Sequence, residues 1–202
     1  MGGISNFYDK MFSENKNPFG IKPLPAVEKI LNYMQSGTVL DLGASDGRNS
    51  LFLASKGFRV TAVDISPIAI EKIRERAKTE RLTLETQIAD IMQFEFTNSY
   101  NLILCTFVLH HLSRDRALEL IKKIKQYTEI GGLNIIAAFT KNGDFYRIDP
   151  QTPELYLNEN ELKDIYSDWE VLSYSEKEGR AFKKRPDGTP MTNVSAEIIA
   201  KK

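Results

Sequence analysis

Apolar residues along the chain follow two alternating patterns. After a polar N-terminal arm, residues 23–34 place apolar side chains at helical spacing. Short apolar runs then alternate with helical segments: TVLDLG, FRVTAVD, LTLETQIAD, YNLILCTFVL and LNIIAAF are the runs, and GRNSLFLASKG, SPIAIEKIRERAKTE and SRDRALELIKKIKQYTEIGG are helical. Strands that read as continuous apolar runs and alternate with helices predict a parallel sheet covered by helices on both faces.

Capping residues predict where several of these helices begin and end. Ser66 is expected to be the N-cap of the second helix of the alternating series, with Pro67 at its first position. Gly57 is expected to mark the end of the preceding helix. The helix after the fourth strand is predicted to begin at Ser113 and to stop at residues 131–132, which are both glycine.

The last quarter of the chain departs from this alternation. Residues 140–157 are predicted to be a loop, and residues 158–169 contain a short helix. WEVLSYSEKEG and TNVSAEIIAKK then read as two strands, joined by RAFKKRPDGTPM with a turn at residues 186–188. Two strands with no helix between them predict an antiparallel hairpin at the edge of the sheet.

Length, charge balance and cysteine content reduce the number of functional classes to which the protein could belong. A chain of 202 residues suits one domain, and equal numbers of acidic and basic residues, 27 each, disfavour a nonspecific nucleic-acid binder. A single cysteine fits a reducing compartment, and with two histidines it cannot build a zinc cage, so no metal site is expected. The N-terminus lacks a signal-peptide pattern and no apolar stretch is long enough for a membrane span, so a cytoplasmic location is expected.

An aspartate lies near the end of the first predicted strand, just before the loop that leads into the next helix. Asp41 precedes the loop GASDG (43–47), and ligands of parallel α/β sheets bind at the carboxyl ends of strands, beside the point where strand order reverses. A carboxylate there would repel the diphosphate of a dinucleotide and attract a ligand that carries an ammonium and a sulfonium. Asp41 therefore favours S-adenosylmethionine over NAD as the cofactor.

Two further acids follow the next two strands. Asp64 ends the second strand, where an acid accepts hydrogen bonds from ribose hydroxyls, and Asp90 follows the third, within reach of an adenine amino group. The spacings are 23 residues from Asp41 to Asp64 and 26 from Asp64 to Asp90, about one strand–helix unit each. A single acid after a strand is most often a turn former or helix cap, but three on successive strands favour a cofactor site.

Several of these segments resemble a known family. VLDLGASDGRNSLFLASKG, VTAVDIS, IAD and YNLILCTFVLHHL resemble the successive motifs of class I S-adenosylmethionine-dependent methyltransferases, over roughly residues 25–140. FYDKMF, GRNS and the ending DWE…DGTPMTNVSAEIIAKK resemble the tellurite-resistance methyltransferase branch. The resemblance implies a doubly wound, Rossmann-like α/β fold whose mostly parallel sheet has seven strands, the last of them inserted antiparallel.

The resemblance also implies roles around the cofactor. The carboxylate at the first strand would meet the methionine ammonium, the second would bind the ribose and the third the adenine amino group. Loop backbone would line the methionine part, the next two helical residues could reach its carboxylate, and the end of the fourth strand would lie near the methyl group. The implied cofactor-binding residues are Asp41, Gly43, Ala44, Ser45, Gly47, Arg48, Asn49, Asp64, Ile65, Asp90, Ile91, Cys105 and Thr106.

Ser45 departs from the G-x-G-x-G loop that is usual in the family. Glycine permits positive φ, so a serine at a position that demands positive φ would cost on the order of 1 kcal/mol or more. At negative φ the serine would cost little, and its hydroxyl could donate to the ligand. Because Gly43 and Gly47 remain, we expect a negative φ at Ser45.

No catalytic triad is expected, because methyl transfer from a sulfonium mainly requires orientation. His110 and His111 could act as general base or position the acceptor, or could merely pack on the sheet and cap the next helix. Tyr8, with Phe7, could close over the cofactor as part of a lid formed by residues 1–22, or could simply pack there.

Basic residues near the C-terminus offer a site for an anionic acceptor. Arg180 is the foremost catalytic candidate among them, and the others could equally form a solvated face; they are Lys183, Lys184 and Arg185, interleaved with Phe182. Arg147 and Tyr146, in the long segment 140–157, are similar candidates. Residues 140–157 and 176–191 are therefore expected to be substrate-side loops.

The sequence thus predicts a cytoplasmic, single-domain methyltransferase spanning residues 1–202. It would use S-adenosylmethionine and act on a small molecule rather than on nucleic acid or at a membrane, and the resemblance to the tellurite-resistance branch implies a tellurium or selenium oxyanion as the acceptor. An S-adenosylmethionine-binding protein without transferase activity is the first alternative, and a nicotinamide-dependent oxidoreductase the second. The oligomeric state is not readable from the sequence.

Overall fold

A computed structural model describes residues 2–15, 17–151, 154–185 and 187–202 of the protein. Side chains are described for all of these except residues 2–5, 182 and 183. Contacts within the chain cluster into two compact units, one ending at Leu104 and one beginning at Cys105. The prediction of a single domain over residues 1–202 stays a prediction.

The first unit contains three strands that alternate with helices, and most of a fourth strand. Its elements are α1 (Gly2–Glu14), α2 (Pro25–Lys29), β1 (Thr38–Leu42), α3 (Arg48–Ser55), β2 (Arg59–Asp64), α4 (Pro67–Glu80), β3 (Glu85–Ile88) and β4 (Tyr100–Thr106), whose last two residues belong to the second unit. The predicted N-terminal arm is thus largely a helix. The predicted helix over residues 23–34 is α2, continued by a 3-10 turn at Ile30–Asn32.

Parallel pairing in this unit brings successive strand ends to one edge. β1 pairs with β2 and β2 with β3, both in parallel, and Asp41 is opposite Ala62 while Asp64 is opposite Ile88. Ser66 caps α4 as expected, because its Oγ accepts a hydrogen bond of 3.1 Å from the Ala69 N–H. The strand–loop–helix order read from the sequence is therefore confirmed here.

The second unit contains the end of β4 and the antiparallel part of the sheet. Its remaining elements are α5 (Arg114–Gln126), β5 (Thr128–Phe139), α6 (Asp144–Ile148), α7 (Glu161–Ile165), β6 (Glu170–Lys184) and β7 (Pro190–Lys201). β7 pairs antiparallel with both β5 and β6. The terminal strand is thus inserted antiparallel, as expected.

Seven strands form one mixed sheet in the order β3-β2-β1-β4-β5-β7-β6. The order reverses between β1 and β4, which makes this the switch point of a doubly wound sheet. The predicted Rossmann-like α/β class, with a parallel core and an antiparallel terminal hairpin, is confirmed. None of the helices among the described residues is long and apolar enough to cross a membrane.

The helix after β4 ends earlier than predicted. α5 stops at Gln126, and residues 131–132 lie inside β5 instead of ending the helix. Their backbone pairs with the end of the chain, since the Gly131 N–H donates to the Lys202 carbonyl and the Lys202 N–H to the Gly132 carbonyl. Ser113 precedes α5 but forms no side-chain cap.

Two segments that were predicted as loops contain regular structure. α6 lies within residues 140–157. Most of residues 176–191 belongs to β6 and β7, because the pairing of these two strands continues as far as Lys184 opposite Pro190. Only residues 185–189 connect the two strands, and Pro186 of the predicted turn lies outside the described residues.

Burial of a tyrosine hydroxyl generates a first prediction. Tyr166 is fully buried, and its hydroxyl donates to Asn134 Oδ1 over 3.0 Å. Tyr166→Phe leaves that oxygen without its partner, so we expect the free energy of unfolding to fall by about 1–3 kcal/mol. Urea unfolding at equilibrium measures this change.

The matched control is Tyr33→Phe, because the Tyr33 side chain is 45% exposed. This variant is expected to unfold within about 0.5 kcal/mol of the original chain. Equal stability of the two variants would contradict the buried hydrogen bond.

Candidate cofactor-binding site

The loop after β1 is held by backbone hydrogen bonds to the neighbouring strand. The N–H groups of Gly43 and Ala44 both donate to the Val63 carbonyl of β2, over 2.8 and 2.9 Å. The Gly47 N–H then donates to the Ala44 carbonyl over 3.0 Å, and α3 begins at the next residue. The loop is therefore a fixed turn between strand and helix.

Three alternate positions of this loop have a left-handed backbone. The φ values are 74° at Gly43, 56° at Ser45 and 82° at Gly47. Two features exclude a side chain at Gly47. Its φ is positive, and an added Cβ would lie 2.6 Å from Ile73 Cγ1. The pattern of glycines that is usual in the family corresponds to a geometric demand at each of the three positions.

The expectation of a negative φ at Ser45 is therefore wrong. The left-handed conformation directs the Ser45 N–H to Asp64 Oδ2, over 2.8 Å. A non-glycine residue in this conformation costs roughly 1–2 kcal/mol, and the charge-assisted hydrogen bond offsets that cost. The Ser45 hydroxyl is buried and has no hydrogen-bond partner within the described part of the chain.

Asp41 is a buried carboxylate with one oxygen available. Its side chain is 1% exposed, and Oδ2 accepts a hydrogen bond of 2.6 Å from the Ser50 hydroxyl. Oδ1 has no partner among the residues that the structure describes. Burial raises the pKa of Asp41 to about 6; the Ser50 hydrogen bond and the Arg48 charge act against this shift, and the negative charge of Asp64 adds to it.

Asp64 is also buried, and its two oxygens accept from the backbone. Oδ2 accepts from Ser45 and Oδ1 from the Ser66 N–H over 2.9 Å. Burial raises the pKa of Asp64, hydrogen bonds from backbone N–H groups lower it, and the charge of Asp9 raises it. Two carboxylates that both resist ionisation form a site suited to a cationic or hydroxyl-bearing ligand.

Helix α1 contributes two side chains beside Asp64. Burial raises the pKa of the Tyr8 hydroxyl to about 12, with a further contribution from the charge of Asp64. The Ser66 hydroxyl donates to Asp9 Oδ1, which ties α1 to the cap of α4. Tyr8, one of the candidates from the sequence, is therefore close to Asp64; Asp9 was missed, because nothing in its local sequence indicates this contact.

Arg48 and Asn49 hold the segment between α1 and α2. Arg48 Nη1 donates to the Phe19 carbonyl over 2.7 Å, and Asn49 Oδ1 accepts from the Leu24 N–H over 3.0 Å. The expected contact of these two residues with a cofactor carboxylate stays a prediction.

Ser50 is a residue of the site that the sequence did not reveal as a candidate. It lies in the first turn of α3 directly after the loop, and that position is the sequence signal by which it could have been identified.

Asp46 is a second residue that the sequence analysis passed over. It is 1% exposed, and neither carboxylate oxygen has a partner among the described residues. Burial raises its pKa, while the charges of Arg76, Arg48 and Lys72 lower it. Its buried charge adds to the acidic character of the loop.

Asp90 and Ile91 follow β3 in the expected place. Asp90 Oδ1 accepts from the Met92 N–H over 2.9 Å, and the preceding Ala89 N–H donates to the Asp64 carbonyl over 3.0 Å. Ile91 is buried, and Ile65 after β2 is half-buried. The first unit thus places Asp41, the loop and Asp64 together, and it links the Asp90 turn to Asp64 through the backbone.

The remaining candidates lie in the second unit. Cys105 and Thr106 are buried at the end of β4. His110 and His111 lie on a 3-10 turn, with ring centroids 4.0 Å apart. Burial and the neighbouring histidine lower the pKa of His110 to about 3, and burial also lowers the pKa of His111, so both rings are neutral at physiological pH.

The basic residues of the terminal hairpin do not form one free cluster. Arg180 and Lys184 are exposed on β6, whereas Arg185 forms an ion pair with Asp144. Arg147 also approaches that carboxylate, over 3.8 Å. The side chains of Phe182 and Lys183 lie outside the described residues.

Tyr146 packs against Tyr156, with ring centroids 5.6 Å apart. Within the part of the chain that the structure describes, no group of His, Cys, Asp and Glu could hold a metal ion.

The family model described as tellurite resistance protein TehB matches residues 8–193 of the chain. A relative in Haemophilus influenzae strain Rd, described as a probable S-adenosyl-L-methionine-dependent methyltransferase TehB, is 35% identical over 164 residues. The match covers 81% of this chain, which spans only 57% of that relative's length.

Solved structures give the same picture of the fold. The crystal structure of TehB from Haemophilus influenzae has a TM-score of 0.79 and 31% identity, and the match covers 96% of this chain and 67% of that one. Coclaurine N-methyltransferase bound to N-methylheliamine and SAH has a TM-score of 0.69 at 17% identity, covering 88% and 72% of the two chains. At that identity the likeness concerns the fold alone.

The left-handed serine generates a second prediction. Ser45→Gly removes the steric cost of a positive φ, whereas Ser45→Ala keeps that cost and also lacks the hydroxyl. We therefore expect the glycine variant to be more stable than the alanine variant by about 0.5–1 kcal/mol, after the entropy cost of glycine in the unfolded chain. Thermal or urea unfolding of the two variants side by side measures the difference. An alanine variant at least as stable as the glycine variant would show that φ at this position is not left-handed.

Proposed function

The chain belongs to the family of the tellurite resistance protein TehB, and on that premise we propose that it is an S-adenosylmethionine-dependent methyltransferase that acts on a small molecule. The single observation that carries the proposal is the unpartnered, buried Oδ1 of Asp41 at the end of β1. A buried carboxylate oxygen without a partner is costly, and a cationic ligand group removes that cost. The methionine ammonium of the cofactor is such a group.

The other parts of the loop fit the rest of this cofactor. Asp64 has accepting capacity left for a ribose hydroxyl, since a carboxylate has about four lone-pair sites and the backbone N–H groups of Ser45, Ser66 and Ile65 use three of them. The buried Ser45 hydroxyl offers a further polar partner. Tyr8, whose pKa responds to the charge of Asp64, is proposed to form an aromatic wall of the site, and Asp90 is proposed to accept from the adenine amino group.

When bound, S-adenosylmethionine supplies a methyl group already activated by its sulfonium. The residues of this chain then have to bind, orient and exclude water. Asp41 would fix the amino-acid portion of the cofactor, and Asp64 would fix its ribose. The hydrogen-bonded loop between the two carboxylates sets their separation. Cys105 and Thr106, buried at the end of β4, are proposed to line the space near the methyl group.

The acceptor is proposed to be a small molecule, with a tellurium or selenium oxyanion as the first class to test. The description of the matching family as tellurite resistance proteins supports this choice. The exposed side chains of Arg180 and Lys184 offer positive charge for an anion. The single cysteine is consistent with a reducing setting, and an acceptor such as nucleic acid is disfavoured by the absence of net charge.

Calorimetric titration with S-adenosylhomocysteine tests cofactor binding. Micromolar binding with one site per chain is expected, and NADH is expected not to bind. No binding at millimolar S-adenosylhomocysteine would overturn the proposal.

Methyl transfer from labelled S-adenosylmethionine to tellurite, selenite and small thiols tests the reaction. Label in a volatile or extractable product is expected for at least one acceptor class. Tight cofactor binding with no transfer to any of them would favour a cofactor-binding protein without transferase activity.

The raised pKa of Asp41 generates a prediction about pH. The ionised carboxylate binds the ammonium, so affinity for S-adenosylhomocysteine should rise as the pH rises through about 6. At pH 5 about a tenth of Asp41 is ionised, and binding should be roughly tenfold weaker than at pH 8. Asp64, whose pKa is also raised, and Arg48 face the same site and modify the size of the effect. Calorimetry across this pH range measures it.

Asp41→Asn is the matched variant, since it keeps the shape and removes the charge. It is expected to bind more weakly at pH 8 and to show a smaller pH dependence. The stability of the protein without cofactor should fall as the pH rises, whereas the affinity for the ligand rises. A carboxyl whose pKa is raised on folding contributes stability that is lost as the pH rises from about 4 to 6. An unchanged pH dependence of binding in the variant would contradict the role of Asp41.

A further inference from the structure

Two aromatic rings contact His110 in the second unit. The His110 ring lies 4.8 Å from Phe139 and 4.0 Å from His111, between ring centroids. Phe139 in turn contacts Phe107 at 5.3 Å and Phe145 at 6.0 Å. We call these five residues the aromatic cluster. It follows β4 and β5 at their carboxyl ends, where ligands of such sheets bind.

The backbone of this cluster is strained at one residue. Phe107 has a φ of 57°, which is rare for a bulky side chain. The hydrogen bond of 2.8 Å from the Phe107 N–H to the Ala137 carbonyl holds it in this conformation. Strain of this kind persists where the surrounding structure fixes it and is concentrated at functional sites.

His110 presents one ring nitrogen that has nothing to bind. Nδ1 is buried and has no hydrogen-bond partner among the described residues. Burial and His111 lower the pKa of His110 to about 3, so the ring stays neutral. A neutral imidazole with its proton on Nε2 offers Nδ1 as a hydrogen-bond acceptor. Such a buried, unsatisfied acceptor is stabilised by a hydrogen-bond donor, which a ligand or a water molecule supplies.

The surroundings of Nδ1 distinguish between two kinds of ligand. The faces of aromatic rings carry negative potential and both histidines are neutral, so the five residues of the cluster themselves offer an oxyanion no counter-charge in return for its lost hydration. A neutral, polarisable group loses little hydration and packs well on such rings. The cluster therefore suits a neutral group with one hydrogen to donate.

We propose that the aromatic cluster binds the methyl acceptor as an uncharged chalcogen hydride, a thiol or selenol, whose hydrogen bonds to Nδ1 of His110. This inference rests on the proposed function, and among its small-molecule acceptors it favours a thiol or selenol over an oxyanion. Phe107, Phe139 and Phe145 hold the polarisable atom, and His110 sets the direction of its lone pair. His110 is thus a residue for acceptor recognition.

The transfer balances without any oxidant. A bond forms between the acceptor chalcogen and the methyl carbon, and the bond from that carbon to the sulfonium breaks, with its electron pair left on sulfur. The methylated chalcogen that still carries its hydrogen is a much stronger acid than imidazolium, so its proton passes to Nδ1 of His110. The positive charge moves from sulfonium to imidazolium, and even a weakly basic imidazole suffices.

Nitrogen NMR of the histidine rings tests this directly. The full chain, labelled with 15N-histidine and saturated with S-adenosylhomocysteine, is titrated with benzyl mercaptan and, separately, with selenite. The Nδ1 resonance of His110 is expected to move upfield with benzyl mercaptan, as a nitrogen that accepts a hydrogen bond does, and to stay in place with selenite. A shift with selenite alone, or with neither probe, would overturn the inference.

Two substitutions separate hydrogen bonding from packing. His110→Leu keeps an apolar side chain of similar size and is expected to bind benzyl mercaptan about tenfold more weakly. His110→Asn places an amide oxygen near the position of Nδ1 and is expected to recover most of that loss. Equal affinity of the leucine variant and the original chain would refute a role for Nδ1. If the leucine variant does not fold, the titration of the original chain decides alone.

Saturation with S-adenosylhomocysteine also separates the two proposals. Failure of that ligand to bind refutes the proposed function. Binding of S-adenosylhomocysteine with no response of His110 to benzyl mercaptan refutes only the acceptor class.

Discussion

The hydrogen bond from the Ser45 backbone to the Asp64 carboxylate is the interaction on which the candidate site depends. It joins the loop after β1 to the end of β2, and it requires the left-handed conformation at Ser45. The same carboxylate also accepts from the Ser66 N–H, next to the cap of α4. One buried side chain thereby fixes a loop, a strand end and a helix start relative to one another.

Burial of acids near one another has an electrostatic consequence. The charge of Asp64 raises the cost of ionising Asp41, the charge of Asp9 raises that of Asp64, and burial adds to both costs. Such an arrangement destabilises the protein without a ligand, because charges removed from water need a partner. A cationic ligand group reverses the balance, so the free energy stored in the unpaired Oδ1 of Asp41 becomes binding free energy.

Much of the fold could be predicted from residue patterns, and the failures have identifiable causes. Alternating apolar runs predicted the strands, and Ser66 with Pro67 predicted the start of α4, because these signals are local. The end of α5 was wrong because residues 131–132 pair with Lys202, a contact far along the chain that no local pattern contains. Asp9 was missed for the same reason, since its contact is with Ser66 on a distant segment.

The candidate site was predicted only in part, because some of its features depend on contacts with another strand. The position of an acid after a strand is local information, so Asp41, Asp64 and Asp90 could be identified as candidates from their spacing. The sign of φ at Ser45 depends on where its N–H must point, which is set by Asp64 on another strand. The glycines at positions 43 and 47 gave no information about φ at Ser45 between them, and the expectation of a negative φ was wrong.

Asp41 also limits where the rate of the proposed reaction can come from. The ammonium that it is proposed to bind is present both before and after the methyl group leaves, so this contact stabilises substrate, transition state and product alike. Uniform binding of this kind retains the cofactor but does not lower the chemical barrier. Acceleration must then come from groups whose interactions change during transfer, and orientation of the acceptor is the main one. In the second unit, the packed rings of Phe107 and Phe139 and the neutral His110 have the properties that such orientation requires.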